Sequence, residues 1–344
     1  MINWDFVKAI FRATTPQDQI QLSNLLSEAF DIQSAAHSLL NPAMMAWKYW
    51  DPRPDWTEPR SYALERDGRL VAHAGIWPIA FPGEPPVRGI QMVDWCAAKD
   101  CPGVGLTLVQ KLASLFDFMY SIGGSDTTCK VLPAFGFVEA TQVWTAARPL
   151  RPVRQMLTHQ TVNWKLAPRL ARNWAWASYP PAPARGVNGW KTVALRPSEI
   201  PPGCTPRPGA FFDYILLCPS IKYQLHGVAN EQGLQGCFVT GVLRGQARVA
   251  GVWLLNPAEE NWRRAYLLAQ QAARRLSGAN EIVARGSVGV SEQAAAEAGF
   301  RIMKHTPVYL LNKKGRLTLP EDFQFQLCDD DTAFLDSGQT SYYT

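Results

Sequence analysis

The sequence predicts an α+β protein made of two mixed α/β sheets in tandem, joined by a connector rich in Trp and Pro. Three observations carry this. Gln91 to Ala98 is a mostly apolar run that passes through a turn holding Gly103 and Gly105 into an amphipathic helix, with Leu106, Leu108, Val109, Leu112, Leu115 and Phe116 at helical spacing. Asp67-Gly68 lies between two apolar runs, which is a hairpin signal. Features of residues 1–150 return in the same order in residues 208–313.

Composition sets the frame. The 344 residues are 47% hydrophobic and 18% charged, ordinary for a globular chain with length for about two domains. A net charge of +5 does not by itself imply a nucleic-acid partner. The seven scattered cysteines make no disulfide framework and no zinc spacing, so a reducing cytoplasm and no metal are expected. Met1 to Thr15 shows no apolar h-region and no cleavage signature, so no secretory signal is expected, and no run approaches the ~18 apolar residues of a membrane span.

Taken in order, Gln17 to Phe30 places Ile20, Leu22, Leu25, Leu26, Ala29 and Phe30 on one helical stripe. Asn41-Pro42 opens a second helix with Met44, Met45, Trp47, Tyr49 and Trp50, closed by Asp51-Pro52-Arg53-Pro54. Ser61 to Arg66, Leu70 to Phe81 and Val87 to Ala98 read as strands, with Pro82 to Pro86 a loop. Pro102 suits a first helical turn, where its missing N–H is no loss. Gly103 and Gly105 let a ligand approach the backbone, and a helix N-terminus attracts phosphate. After that helix come a short strand at Met119 to Gly123, a helix from Asp126 to Ala134, Phe135-Gly136-Phe137, and a strand from Val138 to Ala147.

This order resembles the GNAT acyltransferase fold. The resemblance rests on the Asp67-Gly68 hairpin, on Gly103-Val104-Gly105 followed by Leu108, Val109 and Leu112, on the small-residue turn before Asp126, and on the terminal Gly136-Phe137. It implies acyl transfer from acetyl-CoA (or another acyl-CoA) to an amine or hydroxyl by direct attack. It also implies a CoA site at Cys96, Ala97, Ala98, Lys99, Pro102, Gly103, Val104, Gly105, Leu106 and Thr107, with the pantetheine pairing along the preceding strand. Two positions depart from the family pattern. Asp100 stands where Gln or Arg is usual, with Lys99 or Lys111 as compensating charges, and Leu132 stands where a Tyr usually protonates the leaving thiolate.

In the second half, Ile221-Lys222-Tyr223 echoes Trp47-Lys48-Tyr49. Arg244-Gly245 forms another hairpin, Val249 to Trp253 echoes His73 to Trp77, Ala265 to Leu276 echoes Gly105 to Phe116, and Ala298-Gly299-Phe300 echoes Phe135 to Phe137. The Gly turn is replaced by Asn256 to Ala265 with Glu259, Glu260 and Trp262, which oppose a phosphate by charge and bulk. The expected organisation is therefore 1–150 as the acyl-CoA half, 151–207 as connector, and 208–344 as a degenerate half with a tail.

Acyl transfer needs a base for the acceptor, donors for the oxyanion and an exit for the thiolate. Backbone N–H groups at a splayed strand meet the second need. Asp94, on the strand implied to carry pantetheine, is the candidate base. His73 is a second candidate base or acceptor contact, against the alternative of a satisfied core histidine, and Tyr120 is a candidate acid. Cys129 reads as a small buried residue rather than a covalent acyl carrier. Trp47, Tyr49, Trp50 and Trp77 are candidates to line an acceptor cleft by stacking, with core packing expected for at least two of them. The acceptor is open: a small molecule or a sugar precursor fits the resemblance, as does an unknown oligomeric state. Two other readings follow. A peptidoglycan-bridge aminoacyl transferase is also a tandem of this fold and uses charged tRNA, but does without the Gly turn. A non-enzymatic acyl-CoA-binding protein agrees with Asp100 and Leu132. Arg151, Arg154, Lys165, Arg169 and Arg172 with Trp164, Trp174 and Trp176 read either as a contact to a membrane surface or anionic polymer, or as a solvated connector helix packed by its Trp face. Asp329-Asp330-Asp331 is expected on the surface.

Overall fold

The computed structural model describes residues 9–34, 37–81, 87–116, 118–158, 166–178, 187–313, 315, 323–338 and 342–344. The Pro82 to Pro86 loop, Trp164 and Lys165 lie outside the described residues. The chain divides into two units. One is Met1–Glu139 with Tyr309–Leu319 and Leu335–Gly338; the other is Ala140–Val308 with Pro320–Phe334 and Gln339–Thr344. The boundary therefore falls inside the strand expected to close the first half, and a later segment returns to the first unit. Residues 151–207 do not stand apart, because they belong to the second unit.

In the first unit the strands β1 (Ile10–Ala13), β2 (Ser61–Arg66), β3 (Arg69–Phe81), β4 (Val87–Ala97) and β5 (Phe118–Ile122) lie side by side in that order. The β2–β3 hairpin turns at Asp67 and Gly68, both with positive φ, as a two-residue loop matched to strand twist requires. Helix α1 (Gln19–Ala29) buries Leu22, Leu25 and Leu26, three positions of one stripe. Helix α2 (Pro42–Met45) starts where Asn41 Oδ1 accepts from Ala43 N and Met44 N, with Pro42 at its first position. It continues as one π-helical turn, Ala46–Trp50. The buried Arg60 guanidinium closes that turn, donating to the carbonyls of Trp47 (2.9 Å), Lys48 (2.6 Å) and Asp51. Helix α3 (Val104–Leu115) crosses from β4 to β5, which run parallel, and α4 (Asp126–Val131) follows.

The second unit holds β6 (Val138–Pro149), α5 (Pro152–Leu157), α6 (Leu166–Ser178), β7 (Lys191–Ala194), α7 (Gly209–Leu216), β8 (Gln224–Asn230), β9 (Gly233–Leu243), β10 (Gln246–Leu254), α8 (Glu259–Arg275), β11 (Glu281–Ser287), α9 (Val290–Glu297) and β12 (Arg301–Asn312). The last four residues of β12, from Tyr309, belong to the first unit, as do the first two of β6. The strand order is β12-β6-β11-β10-β9-β8-β7.

The repeat is present, but its alignment shifts by one strand from the expectation. Helix α8 joins β10 to the parallel β11 as α3 joins β4 to β5, so Val249 to Trp253 matches β4, not β3. The true partner of β3 is β9. A Cβ on Gly75 of β3 would meet Tyr49 Cε1 at 2.8 Å, and one on Gly241 of β9 would meet Tyr223 Cδ1 at 2.9 Å. Both central strands are buried on two faces and read as continuous apolar runs, so composition does not separate them.

The Asp329-Asp330-Asp331 run is a second correction, because all three residues are buried. Asp329 accepts from Arg207 (2.6 Å) and Asp330 pairs with Arg285. The tail holds this position because Gln326 bonds the backbone of Val252 through both ends of its amide. Burial pushes the Asp329 carboxyl up even beside its arginine. No helix among the described residues is long and apolar enough to cross a membrane.

Candidate active site

The site begins with a bulge. Strand β4 pairs His73 with Cys96 and Gly75 with Val93, so Asp94 and Trp95 together face the single residue Ala74. Asp94 takes a left-handed conformation, φ 51°, which an Asp tolerates better than most residues. The bulge sends the two side chains to different work. The Asp94 carboxylate is buried against the π turn of α2, where Oδ2 accepts from Tyr49 Oη at 2.6 Å and pairs with Lys48 Nζ. Oδ1 takes no hydrogen bond among the described residues. Trp95 Nε1 instead donates to Gly105 O at 3.1 Å, tying β4 to the first turn of α3.

His73 supports the bulge from beneath. Its Nδ1 lies 3.3 Å from Asp94 O, a pure acceptor, so that nitrogen carries the proton. Its Nε2 then accepts from Ser61 Oγ (2.9 Å). Ser61 accepts from Thr14 Oγ1 (2.5 Å), and Thr14 from Trp50 Nε1 (3.0 Å). The four donors point one way along the chain. Burial pushes the imidazole pKa down to about 4, so His73 is neutral at pH 7.

The second component is the start of α3. Gly103, φ 83°, is its N-cap, and a Cβ there would meet nothing within 4 Å. The N–H groups of Gly103 and Gly105 take no acceptor among the described residues. Next to this turn β4 is open on one side. Its ladder with β5 covers Gly89–Gln91 and Phe118–Tyr120, and no pairing between the two continues past Tyr120 among the described residues. An anion therefore has a helix N-terminus with two unused donors, and an extended ligand has a free strand edge leading to the Asp94 bulge. Asp100 is not an unpaired charge at this turn, since Arg69 holds it in a two-pronged, exposed pair at 2.7 and 3.3 Å.

The residues singled out in the sequence divide as follows. Lys99, Pro102, Gly103 and Leu106 are exposed at the turn, and Ala97 and Thr107 are half-buried. Cys96, Ala98, Val104 and Gly105 are buried, and burial raises the Cys96 thiol to about 12. Tyr49 reaches Asp94. His73 does not face an acceptor, because both ring nitrogens are committed within the core. Tyr120 is fully buried. Trp47 (4% exposed) and Trp77 (1%) pack on each other with centroids 5.7 Å apart, and Arg53 lies over Trp77. They are core, not cleft wall, in this structure. Lys48, Ser61 and Thr14 join the site without having been expected there. The one signal for them in the sequence is a lone Lys inside the aromatic run Trp47 to Trp50.

Among its described residues the second unit has no such constellation. At the matching bulge β10 carries Val249 and Ala250, Tyr223 Oη donates to Ala333 O (2.6 Å), and Lys222 is exposed. Helix α8 opens with Glu259 and Glu260.

No family model and no curated protein matches the sequence. Solved structures do match. A tandem GNAT protein from the clavulanic acid biosynthesis pathway, determined without AcCoA, is 10% identical, with 88% of this chain and 98% of that one covered at a TM-score of 0.56. A GCN5-related N-acetyltransferase from Anabaena variabilis is 12% identical over 88% of this chain and 72% of that one, at 0.54. A candidate acetyltransferase from Pyrococcus horikoshii is 12% identical over 100% and 98%, at 0.52. These likenesses and the repeated β–helix–β crossover in the two units give this chain the GNAT fold in tandem.

Proposed function

We propose that the first unit is an acyltransferase that moves an acetyl or other acyl group from CoA to an amine or hydroxyl by direct attack, without a covalent enzyme intermediate. The observation that carries this reading is the coincidence, on one strand, of an unpaired edge, a glycine-capped helix start with two unused N–H groups, and a bulged carboxylate with one unused oxygen. Acyl-CoA supplies the thioester carbonyl and the thiolate leaving group. The chain supplies the rest. The α3 N-terminus holds the pyrophosphate, and free β4 N–H groups stabilise the oxyanion. Asp94 Oδ1 binds the acceptor's N–H or O–H and takes its proton, directly or through a water. Lys48 and Tyr49 fix the carboxylate through Oδ2. A small-molecule or sugar-precursor acceptor fits this arrangement, as does action in the cytoplasm.

The test has two steps. Acetyl-CoA at ~100 times its Kd is expected to add about 2.7 kcal/mol to unfolding, read as a rise in the thermal midpoint. No shift at millimolar acetyl-CoA removes the CoA site. Release of free thiol in the presence of an amine panel then separates an enzyme from a protein that only binds. Asp94→Asn should keep the thermal shift and lower thiol release by about 10²–10⁴-fold. Unchanged release removes Asp94 from the chemistry.

A further inference from the structure

From Arg148 to Arg196 the chain contains no Asp or Glu, and nine Arg or Lys. The net charge of the whole chain is +5, so this segment holds more positive charge than the molecule does, and the rest is net acidic. Within it lies α6, whose outer face is unusual for a helix in water. The side turned to the rest of the second unit is mixed, with Leu166 and Leu170 half-buried beside Arg169 and Asn173. Asn173 is buried and donates to Gln155 Oε1 of α5 (3.2 Å), and Arg169 donates to Thr344 O (2.7 Å). Trp176 also turns inward, donating to Gly299 O (2.9 Å) with Arg301 stacked on it. The side turned outward consists of Ala167, Pro168, Ala171, Trp174, Ala175 and Ser178, all exposed. These positions recur at helical spacing and include no charge. Trp174 is 57% exposed, and on α5 Leu157 is 67% exposed and Val153 41%. A helix facing only water normally shows a polar outer face. Arg154 of α5 and Arg172 of α6 border this apolar face. Both are exposed, and neither has an ion-pair partner among the described residues.

We infer that the α5–α6 surface is a peripheral docking face for an anionic lipid bilayer. Trp174, Leu157 and Val153 enter the headgroup boundary, while Arg154 and Arg172 meet the lipid phosphates. Charge complementarity chooses the occupant. An apolar helix face framed only by cations fits an acidic membrane surface. A second copy of the chain would bring the same cations against themselves, and a nucleic acid would not use the outward Trp, Leu and Val. The face lies in the second unit and needs nothing from the proposed acyl transfer, so either reading can fail without the other.

The experiment is co-sedimentation of the full chain with vesicles of phosphatidylcholine alone and of phosphatidylcholine with about a third phosphatidylglycerol. It includes a salt series, light scattering of the free protein, and a parallel gel shift with bulk tRNA. Binding to the anionic vesicles alone, released by salt, is expected. Trp174→Ser with Leu157→Ser should weaken it by about tenfold or more. Arg154→Gln and Arg172→Gln should each weaken it about fivefold. All four residues are exposed, so their thermal midpoints should match the parent, and a variant that fails this check is replaced by Ala175→Asp on the same face. Sedimentation with neither vesicle, or equally with both, overturns the inference. So does anionic binding that the Trp174/Leu157 pair leaves unchanged. A dimer that Trp174→Ser dissociates assigns the face to a second copy, and tRNA binding without vesicle binding assigns it to nucleic acid; each overturns it as well.

Discussion

Asp94 is held by two donors on the same oxygen, and that asymmetry defines its role. With Oδ2 committed to Lys48 and Tyr49, the carboxylate cannot rotate without breaking a buried ion pair, so Oδ1 is the oxygen left for an acceptor. His73 serves this arrangement from below by holding the Asp94 carbonyl, and its depressed pKa makes a prediction at the residue scale. The folded imidazole titrates at about 4, below its unfolded value of 6.5. Above pH 6.5 neither state binds the proton, so His73 costs nothing. As pH falls from 6.5 to 4 the unfolded chain takes up a proton that the folded protein refuses. Stability then drops by at most about 1.4 kcal/mol per pH unit, reaching about 3 kcal/mol below pH 4. Urea midpoints measured from pH 7 to 4 should show this slope. In His73→Gln, which cannot titrate, the slope should flatten even though the variant is less stable throughout. Equal slopes would remove His73 as the titrating group. Asp94 stood out as a candidate in the sequence because it lies on the strand that the resemblance implies carries pantetheine. Lys48 did not, because its partner is 46 residues away and only a π-helical turn points it inward.

At the scale of elements, two glycines separate ligand binding from chemistry. Gly103 has a positive φ and open space around its Cβ position. Gly103→Val should therefore cost about 1–2 kcal/mol in backbone strain and fill the space over the α3 N-terminus. The thermal midpoint should fall by a few degrees, and the stabilisation by acetyl-CoA should vanish. A variant that keeps its full acetyl-CoA shift would place the pyrophosphate elsewhere. Gly75 makes the opposite case. An added Cβ would lie 2.8 Å from Tyr49 Cε1 and 3.0 Å from Val93 Cγ2, so Gly75→Ala must displace Tyr49, the donor to Asp94. About 1–3 kcal/mol of overpacking cost is expected, with acyl transfer reduced and the acetyl-CoA shift kept. Unimpaired transfer would mean that Tyr49 does not position the base. The turn itself could be read from sequence, since glycine spacing and helical periodicity are local. The assignment of β9 to β3 could not. Val249 to Trp253 resembles His73 to Trp77 only because both strands are buried on two faces, and the pairing that distinguishes them is between distant residues.

At the scale of the whole molecule, a duplicated fold carries the candidate site groups, among the described residues, in its first unit. The second unit keeps the crossover, the bulge and a Lys-Tyr pair, but not their chemical arrangement. Val249 and Ala250 stand at the bulge, Glu259 and Glu260 at the helix start, and Tyr223 is satisfied by the Ala333 carbonyl. The tail reinforces this. Asp329 and Asp330 close onto Arg207 and Arg285, so the acidic run that looked like solvated surface is a structural clasp. Its burial was hidden in the sequence because the partner arginines lie 122 and 45 residues away. Loss of either arginine should leave a buried carboxylate unpaired, at a cost of about 3–5 kcal/mol. Binding stoichiometry follows from the same asymmetry. Calorimetric titration with acetyl-CoA should give one equivalent per chain, and Gly103→Val should abolish it entirely. Carboxylates at the start of α8 repel the pyrophosphate that the unused N–H groups of α3 attract, so residual binding in that variant, or a second equivalent in the parent, would mean that the second unit also takes the nucleotide.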